Sequence, residues 1–320
     1  MSAAVPDVVL PAVSRLVSAV RTVYRGPAIA VEHAVVCLLS RGHLLIEDVP
    51  GVGKTTLAMA LGKALGLGVH RLQFTPDTLP SDILGLTIFN QQSQAFEFHP
   101  GPIFTPILVA DEINRATPKT QAALLEAMNE RGVTVDGETR RLPEPFLVLA
   151  TQNPIEYLGT YPLPESQLDR FLMRISLGYP AAEEERALLV SGGADRALST
   201  MRPVLTLTEL KQAQALVESV TVAEKLLDYV MALVQRTRSS RDLVLGVSPR
   251  GAQGLFRAVQ AHALVAGRPF ATPDDVKKVA PAVLAHRVLA SATGRYEGTG
   301  AGRREREAVQ KILDEVAVPL

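Results

Sequence analysis

Two stretches of the sequence have the residue types and spacing to handle phosphate. The first is Glu47-Asp48-Val49-Pro50-Gly51-Val52-Gly53-Lys54-Thr55-Thr56. Gly51 and Gly53 let backbone N–H groups close around phosphate oxygens with no Cβ in the way. Those amides open a helix-like stretch, Thr56-Leu57-Ala58-Met59-Ala60-Leu61, whose N-terminal dipole also favours an anion. Lys54 is placed to reach β- and γ-phosphates, and the Thr55 hydroxyl to hold Mg²⁺. The candidate nucleotide-binding residues are therefore Asp48, Val49, Pro50, Gly51, Val52, Gly53, Lys54, Thr55 and Thr56. In the usual pattern G-x-x-x-x-G-K-[ST] the first position is glycine; here it is Asp48. Asp tolerates unusual backbone angles better than most residues, so the loop is still expected to close.

The second stretch is Asp111-Glu112, which ends the apolar run Ile107-Leu108-Val109-Ala110. Asp111 suits a Mg²⁺ shell, directly or through water, and Glu112 suits a base that polarises an attacking water. A third apolar run, Phe146-Leu147-Val148-Leu149-Ala150, ends in Thr151-Gln152-Asn153-Pro154. Asn153 is placed to hydrogen-bond a γ-phosphate or the attacking water, but an Asn before Pro is also an ordinary turn former.

The flanking elements must bring these groups together. His43-Leu44-Leu45-Ile46 reads as a buried strand running into the loop, the strand–loop–helix context a phosphate site needs. The apolar runs before Glu112 and Asn153 read as strands covered on both faces, and ligands collect at the C-terminal ends of such strands. Val9, Val13, Leu16, Val17 and Val20 form a helical stripe over residues 8–23, with Pro11 in its first turn. An apolar helix over 28–40 follows, either walling a nucleotide base or simply packing in the core. Val69–Phe74 and Leu172–Leu177 read as further strands. Alternation around Asn90-Gln91-Gln92-Ser93-Gln94 predicts a hairpin over 87–98, and Asp136-Gly137 predicts another over 132–141.

From about residue 182 only helical patterns continue. Thr221–Glu224 has the form of a capping box, Ser248-Pro249 opens a helix that stops at Gly267, and Thr272-Pro273-Asp274-Asp275 opens the next. Residues 291–302 read as a flexible loop, and 303–316 as a charged amphipathic helix. The expected division is an α/β domain over 1–181 and an all-helical domain over 182–320.

Lys+Arg and Asp+Glu are both 33, so no global basic field recruits nucleic acid or an acidic membrane. Cys37, the single cysteine, lies in an apolar run and reads as a buried thiol. No run of eighteen apolar residues occurs, and the first residues lack a basic leader pattern, so the expected location is cytoplasmic, without membrane insertion. No G-x-S-x-G or H-E-x-x-H pattern supports small-molecule hydrolase chemistry.

Together, Glu47–Thr55, Asp111-Glu112-Ile113-Asn114-Arg115-Ala116, Ala150–Pro154 and Glu165-Ser166-Gln167-Leu168-Asp169-Arg170-Phe171 resemble, in order, the motifs of the MoxR group of AAA+ ATPases. Ser248-Pro249-Arg250-Gly251 resembles the start of that group's lid signature. The chain departs from the group at Asp48 and at Tyr24-Arg25-Gly26-Pro27, where a Val-Gly-Gln type segment is usual. The resemblance implies a P-loop AAA+ three-layer αβα domain with a parallel sheet, an all-helical lid domain, and ATP and Mg²⁺ as cofactors. It makes Lys54 and Thr55 Walker A, Asp111 and Glu112 Walker B, and Asn153 sensor 1. It makes Arg250 a lid residue touching the γ-phosphate, and Arg170 a finger inserted into the neighbouring subunit's site, with Arg174 in reserve. It implies a homo-oligomer, a ring hexamer, with the two hairpins as helix-2 insert and pre-sensor hairpin facing the ring's centre. The leading function is chaperone-like remodelling of partner proteins bearing von Willebrand factor A domains. Alternatives are a nucleic-acid motor of the MCM type, the ATPase subunit of a metal chelatase, and a nucleotide-gated scaffold. Nucleic acid is the weaker partner, because the first hairpin tip is rich in Gln and Ser rather than Lys and Arg.

Overall fold

The computed structural model describes residues 4–153, 160–191, 193–291 and 302–318. Pro154 and most of the loop expected over 291–302 lie outside the described residues. In the first part the elements run α1 (Ala4–Val23), α2 (Ala28–Leu39), β1 (Leu44–Glu47), α3 (Lys54–Leu65), β2 (Val69–Gln73), α4 (Pro80–Leu84), β3 (Gly85–Asn90), β4 (Ala95–Pro100) and β5 (Ile107–Asp111). A 3₁₀ turn, Ile113–Arg115, leads to α5 (Pro118–Glu130), β6 (Gly132–Val135), β7 (Glu138–Arg141), β8 (Leu147–Gln152), α6 (Glu165–Leu168) and β9 (Met173–Ile175). Then follow α7 (Ala182–Ser191), α8 (Ala194–Thr200), α9 (Leu207–Val217), α10 (Glu224–Ser239), β10 (Leu243–Leu245), α11 (Pro249–Val265), α12 (Pro273–Leu284), β11 (Leu289–Ala290) and α13 (Arg303–Glu315).

One sheet organises the molecule, with strand order β2-β5-β8-β1-β9 and every neighbour parallel. Alternation along the strands divides the core between the two faces. Leu44, Ile46, Ile107, Val109, Leu147 and Leu149 join one cluster, with α1, α2 and α3. Leu45, Leu108, Ala110, Val148 and Ala150 join the other, with Leu124, Leu125 and Met128 of α5 and the fully buried Phe74 and Phe171. The layers are therefore helix, sheet, helix. The first cluster also continues through Leu210, Leu255, Val259, Val279 and Val283, so the helical lid shares a continuous core with one face of the sheet. α2 is buried almost all round, as a helix enclosed between sheet and lid must be.

Three local expectations change. α1 begins at Ala4, which puts Pro11 inside the helix; Pro11 faces solvent, where water satisfies the carbonyl it cannot serve. Thr221 and Glu224 form no capping box. Thr221 instead bridges to Phe270, and α10 starts from Ala223 without a side-chain cap. Capping boxes close at Thr206–Glu209 and Thr272–Asp275. The helical part also carries a two-stranded antiparallel ribbon, β10–β11, too short to leave a periodic signal.

Both expected hairpins form, as β3–β4 and β6–β7. They meet where the Arg140 guanidinium lies 4.0 Å from the centroid of the Phe98 ring, a cation–π contact between the two. Phe89 and Phe96 pack edge to face on the first hairpin and remain exposed. Gly101 anchors the base of that hairpin by close backbone approach: a Cβ there would lie 2.3 Å from the Ile83 carbonyl oxygen and 2.5 Å from the Gly85 nitrogen. Gly101→Ala is expected to cost about 1–3 kcal/mol by overpacking, and to speed proteolysis within 85–100 without altering nucleotide affinity. Unchanged urea midpoint and cleavage rate would show that the hairpin base yields freely.

Candidate nucleotide site

The turn after β1 is built on two left-handed glycines, Gly51 at φ 85° and Gly53 at φ 91°, a region that side chains with a Cβ avoid. Gly53 is the N-cap of α3 and supplies no side-chain cap, so the first-turn N–H groups are left for a ligand. Lys54 Nζ donates to the Asp48 carbonyl at 2.6 Å, folded back over its own loop. Burial pulls the Lys54 ammonium below its ordinary pKa, against the opposing charges of Asp48, Asp111 and Glu112.

A cavity of about 310 Å³ opens above this turn. Lys54, Thr55, Asp111, Glu112 and Asn153 all line it, so the structure brings together residues from three separate strand ends. The Asp111 carboxylate accepts from Thr151 Oγ1 at 3.1 Å and from Arg71 Nε at 2.6 Å. Glu112 is a left-handed residue, φ 57°, whose N–H donates to Thr151 Oγ1 at 2.9 Å. Its carboxylate accepts from Gln73 Nε2 at 2.6 Å and Arg115 Nη1 at 3.0 Å.

Arg71, Gln73 and Thr151 are site residues that the sequence reading missed. The first two sit at i and i+2 on the sheet's edge strand β2, with Gln73 in register with Asp111. The available signal was a pair of long polar side chains near the end of a strand leading to the same sheet edge. α2 contributes no residue to this cavity. Tyr24 does reach the loop: a Cβ on Gly53 would lie 3.3 Å from its ring. Burial, with the Asp48 charge second, pushes the Tyr24 phenol up to about 12.

Asp48 departs from expectation in its reason for being there. Its φ is not in the left-handed region, so backbone tolerance does not explain it. Its carboxylate accepts from Val49 N at 2.8 Å, Ser176 Oγ at 2.8 Å, Leu177 N at 2.7 Å and Gly178 N at 2.7 Å. It thus ties the phosphate loop to the segment that leaves β9 for the helical part. Burial alone would raise this carboxyl's pKa. The bonds from Gly178, Ser176, Val49 and Leu177 outweigh burial and hold it below the ordinary carboxylate value.

Arg170 and Arg250 do not join the cavity. Both line a second one of about 270 Å³, beside Gly42, His43 and Asn129. Those residues mark the edge where β1 begins, whereas the phosphate loop leaves from where it ends. The four residues of β1 separate the edges by roughly 13 Å. Arg250 was expected to reach the γ-phosphate from the lid; within this chain its Nη2 instead donates to Asn129 Oδ1 at 2.6 Å. Arg174 is half-buried on β9 and paired within the chain with Glu47 at 3.4 Å. Gln152 also donates to Glu47.

Residues 43–173 match the ATPase family associated with various cellular activities (AAA), and residues 235–312 match the AAA lid domain. The YeaC protein of Bacillus subtilis is 47% identical over 283 residues, 88% of this chain and 87% of that protein. Chaperone MoxR1 of Mycobacterium tuberculosis is 40% identical over 314 residues, 95% of this chain and 82% of its own. A crystal structure from Cytophaga hutchinsonii, of a protein assigned as an ATPase, superposes with a TM-score of 0.86 at 34% identity. That match covers 99% of this chain and 97% of the other.

Asp48→Ala leaves four donors without their acceptor and is expected to cost about 3 kcal/mol. Asp48→Asn removes the charge and one of the two acceptor oxygens, as protonation of the carboxyl also does in part. Because the folded pKa is depressed, the charge contributes stability above the unfolded value near 4 and loses it as pH falls through the folded value. Urea titrations of wild type and Asp48→Asn are therefore expected to differ at pH 7 and to converge below pH 4. A difference independent of pH would show that the ionised carboxylate is not what holds 176–178.

Proposed function

The chain belongs to the MoxR family of AAA+ ATPases, and we propose that it works as a ring of identical subunits using ATP hydrolysis to remodel partner proteins. The observation that carries this reading is the separation of Arg170 and Arg250 from the phosphate loop, on opposite edges of one sheet. One subunit holds the nucleotide; the next supplies the arginines. On this reading residues 1–181 form the nucleotide domain and 182–320 the lid.

The cavity suits Mg²⁺-ATP. Among the described residues no cluster of three or more His, Cys, Asp or Glu side chains stands ready for a metal. That agrees with Mg²⁺, which keeps several waters and uses few carboxylates beside the phosphates. Thr55 and Asp111 would hold it, Asp111 through water where Arg71 occupies its carboxylate. When bound, the metal would offset charge on the β- and γ-phosphate oxygens. Lys54 exchanges the Asp48 carbonyl for phosphate oxygens. Asn153 orients the attacking water, and Glu112, released from Gln73 and Arg115, takes its proton. As water bonds to the γ-phosphorus, the bond to the bridging oxygen breaks and ADP leaves. Arg170 and Arg250 of the neighbour counter the charge that spreads over the transferring group.

The chaperone role rests on the relation to a protein named as a chaperone, and partners with von Willebrand factor A domains rest on the family resemblance alone. The described helices include none long and apolar enough to cross a membrane; a cytoplasmic site of action is part of the same proposal. An MCM-like motor is disfavoured because residues 85–100 contain no Lys or Arg and display Phe89 and Phe96. Such a surface grips polypeptide better than a phosphate backbone.

Glu112→Gln is expected to bind ATP yet hydrolyse it at least about 100-fold more slowly. Arg170→Ala is expected to lower kcat of the assembly by about 10³-fold or more, and mixing it with Glu112→Gln subunits should restore turnover. ATPase assays of the separate and mixed proteins check both. Full turnover by a monomer would overturn the shared site, and capture of only nucleic acid by Glu112→Gln would overturn the partner class.

A further inference from the structure

Arg287 follows the last turn of α12 and is buried, far from the phosphate loop. It spends its whole hydrogen-bonding capacity on one short segment and its own helix end. Nε donates to Asp169 Oδ1 at 2.7 Å, and Nη1 donates to the carbonyls of Leu172, at 3.0 Å, and Val283. Nη2 donates to the carbonyls of Asp169, at 3.2 Å, and Phe171. An arginine has five N–H groups in a rigid fork, and all are used. The bonds to 169, 171 and 172 bracket Arg170 on both sides.

The same node reaches Arg250. The second oxygen of Asp169 accepts from Ser248 Oγ at 3.3 Å. Ser248 is the N-cap of α11, accepting from Gly251 N, and Arg250 stands in the first turn of that helix. Gly251 is small because Arg287 passes against it: a Cβ there would lie 2.7 Å from Arg287 Cδ. Asp169 is thus committed to Arg287 rather than to its chain neighbour Arg170.

We propose that Arg287 is a positioning residue that sets Arg170 and Arg250 as one rigid pair for the neighbouring subunit's ATP. This rests on the reading that those arginines act in trans. A guanidinium helps the transition state only if it arrives already oriented, and residues on a loop need a supporting shell to be held so. Arg287 supplies that shell from the lid, which makes the lid's seating on the sheet a determinant of the next subunit's rate. The fork matters as well as the charge, because a lysine offers three donors from a single point.

The test compares assemblies of Arg287→Lys with wild type, and with equimolar mixtures of Arg287→Lys and Glu112→Gln. In the mixture, Glu112→Gln subunits have silent sites of their own but intact arginines to lend. The expected result is a fall in kcat of about 10- to 100-fold for Arg287→Lys alone, KM for ATP within about twofold, and recovery of turnover on mixing. Arg170→Ala carried through the same mixing is the control. If Arg170→Ala is not rescued, the trans reading itself fails. If Arg170→Ala is rescued and Arg287→Lys is not, Arg287 serves only its own subunit and this proposal is overturned. Unchanged kcat, or a changed KM alone, overturns it too. Should Arg287→Lys not fold, Asp169→Asn removes the charge and one of the two acceptor oxygens while leaving the other for Arg287. It is expected to show the same rescue after a smaller fall, and loss of activity without rescue counts against the proposal in the same way.

Discussion

All strands of the central sheet run the same way, so its two edges are chemically unlike. At one edge the strands end, and the turns that follow present Lys54, Asp111, Glu112 and Asn153 to one cavity. At the other edge the strands begin, and there the chain presents Arg170 and Arg250. Covalent connection fixes both assignments, since a parallel strand cannot be reversed without redrawing the crossovers. Glu112 and the two arginines are thereby held apart within one molecule. On the proposed reading, a second copy supplies the arginines that one copy cannot bring to its own nucleotide.

The edges are nonetheless mechanically linked, and the links are polar groups within the core. At the phosphate edge Asp48 holds residues 176–178, and Glu47 pairs with Arg174 while accepting from Gln152. The strand before the loop, the strand before Asn153 and the sheet's last strand therefore meet at one buried carboxylate. Arg174 also closes on the lid, because a Cβ at Gly302, the residue that opens α13, would fall 2.4 Å from its Nη2. At the other edge Arg287 performs the corresponding junction from α12. Buried ionic groups of this kind add little net stability compared with an apolar core, but each is costly to break alone. Their value here is geometrical: they give the lid one seating on the sheet.

Much of this was legible in the sequence because the relevant signals are local. The strand runs before Glu47, Glu112 and Asn153, the tight Asp136-Gly137 turn and the Ser248-Pro249 helix start all appear where short-range pattern places them. The first residue of a strand end and the glycines of a turn depend on neighbours a few positions away. What was not legible depends on partners far along the chain. Asp48 is satisfied by residues about 130 positions on, and Arg287 by residues 115 to 118 positions back. No periodicity encodes such pairings. Pro11 and Thr221 failed for a related reason: each fits a helix-start rule, but packing of α1 and the Thr221–Phe270 bridge decided the boundary instead.

The contacts of Asp111 and Glu112 complete the picture of how the site is set. Both carboxylates are tethered by side chains of the edge strand β2, Asp111 by Arg71 and Glu112 by Gln73. A carboxylate that accepts from a protein donor has fewer lone pairs left for a metal-bound water or an attacking water. Arg71 is more than half exposed, so its bond to Asp111 is screened and readily exchanged for phosphate oxygens, which an arginine grips at least as well. Withdrawal of Arg71 to an incoming phosphate would leave Asp111 with its bond from Thr151, and movement of the edge strand would leave Glu112 with Arg115. β2 is one of the sheet's two edge strands and pairs only with β5, so it can shift without breaking a second ladder. An edge strand, free on one side, thus supplies one tether to each of the two carboxylates.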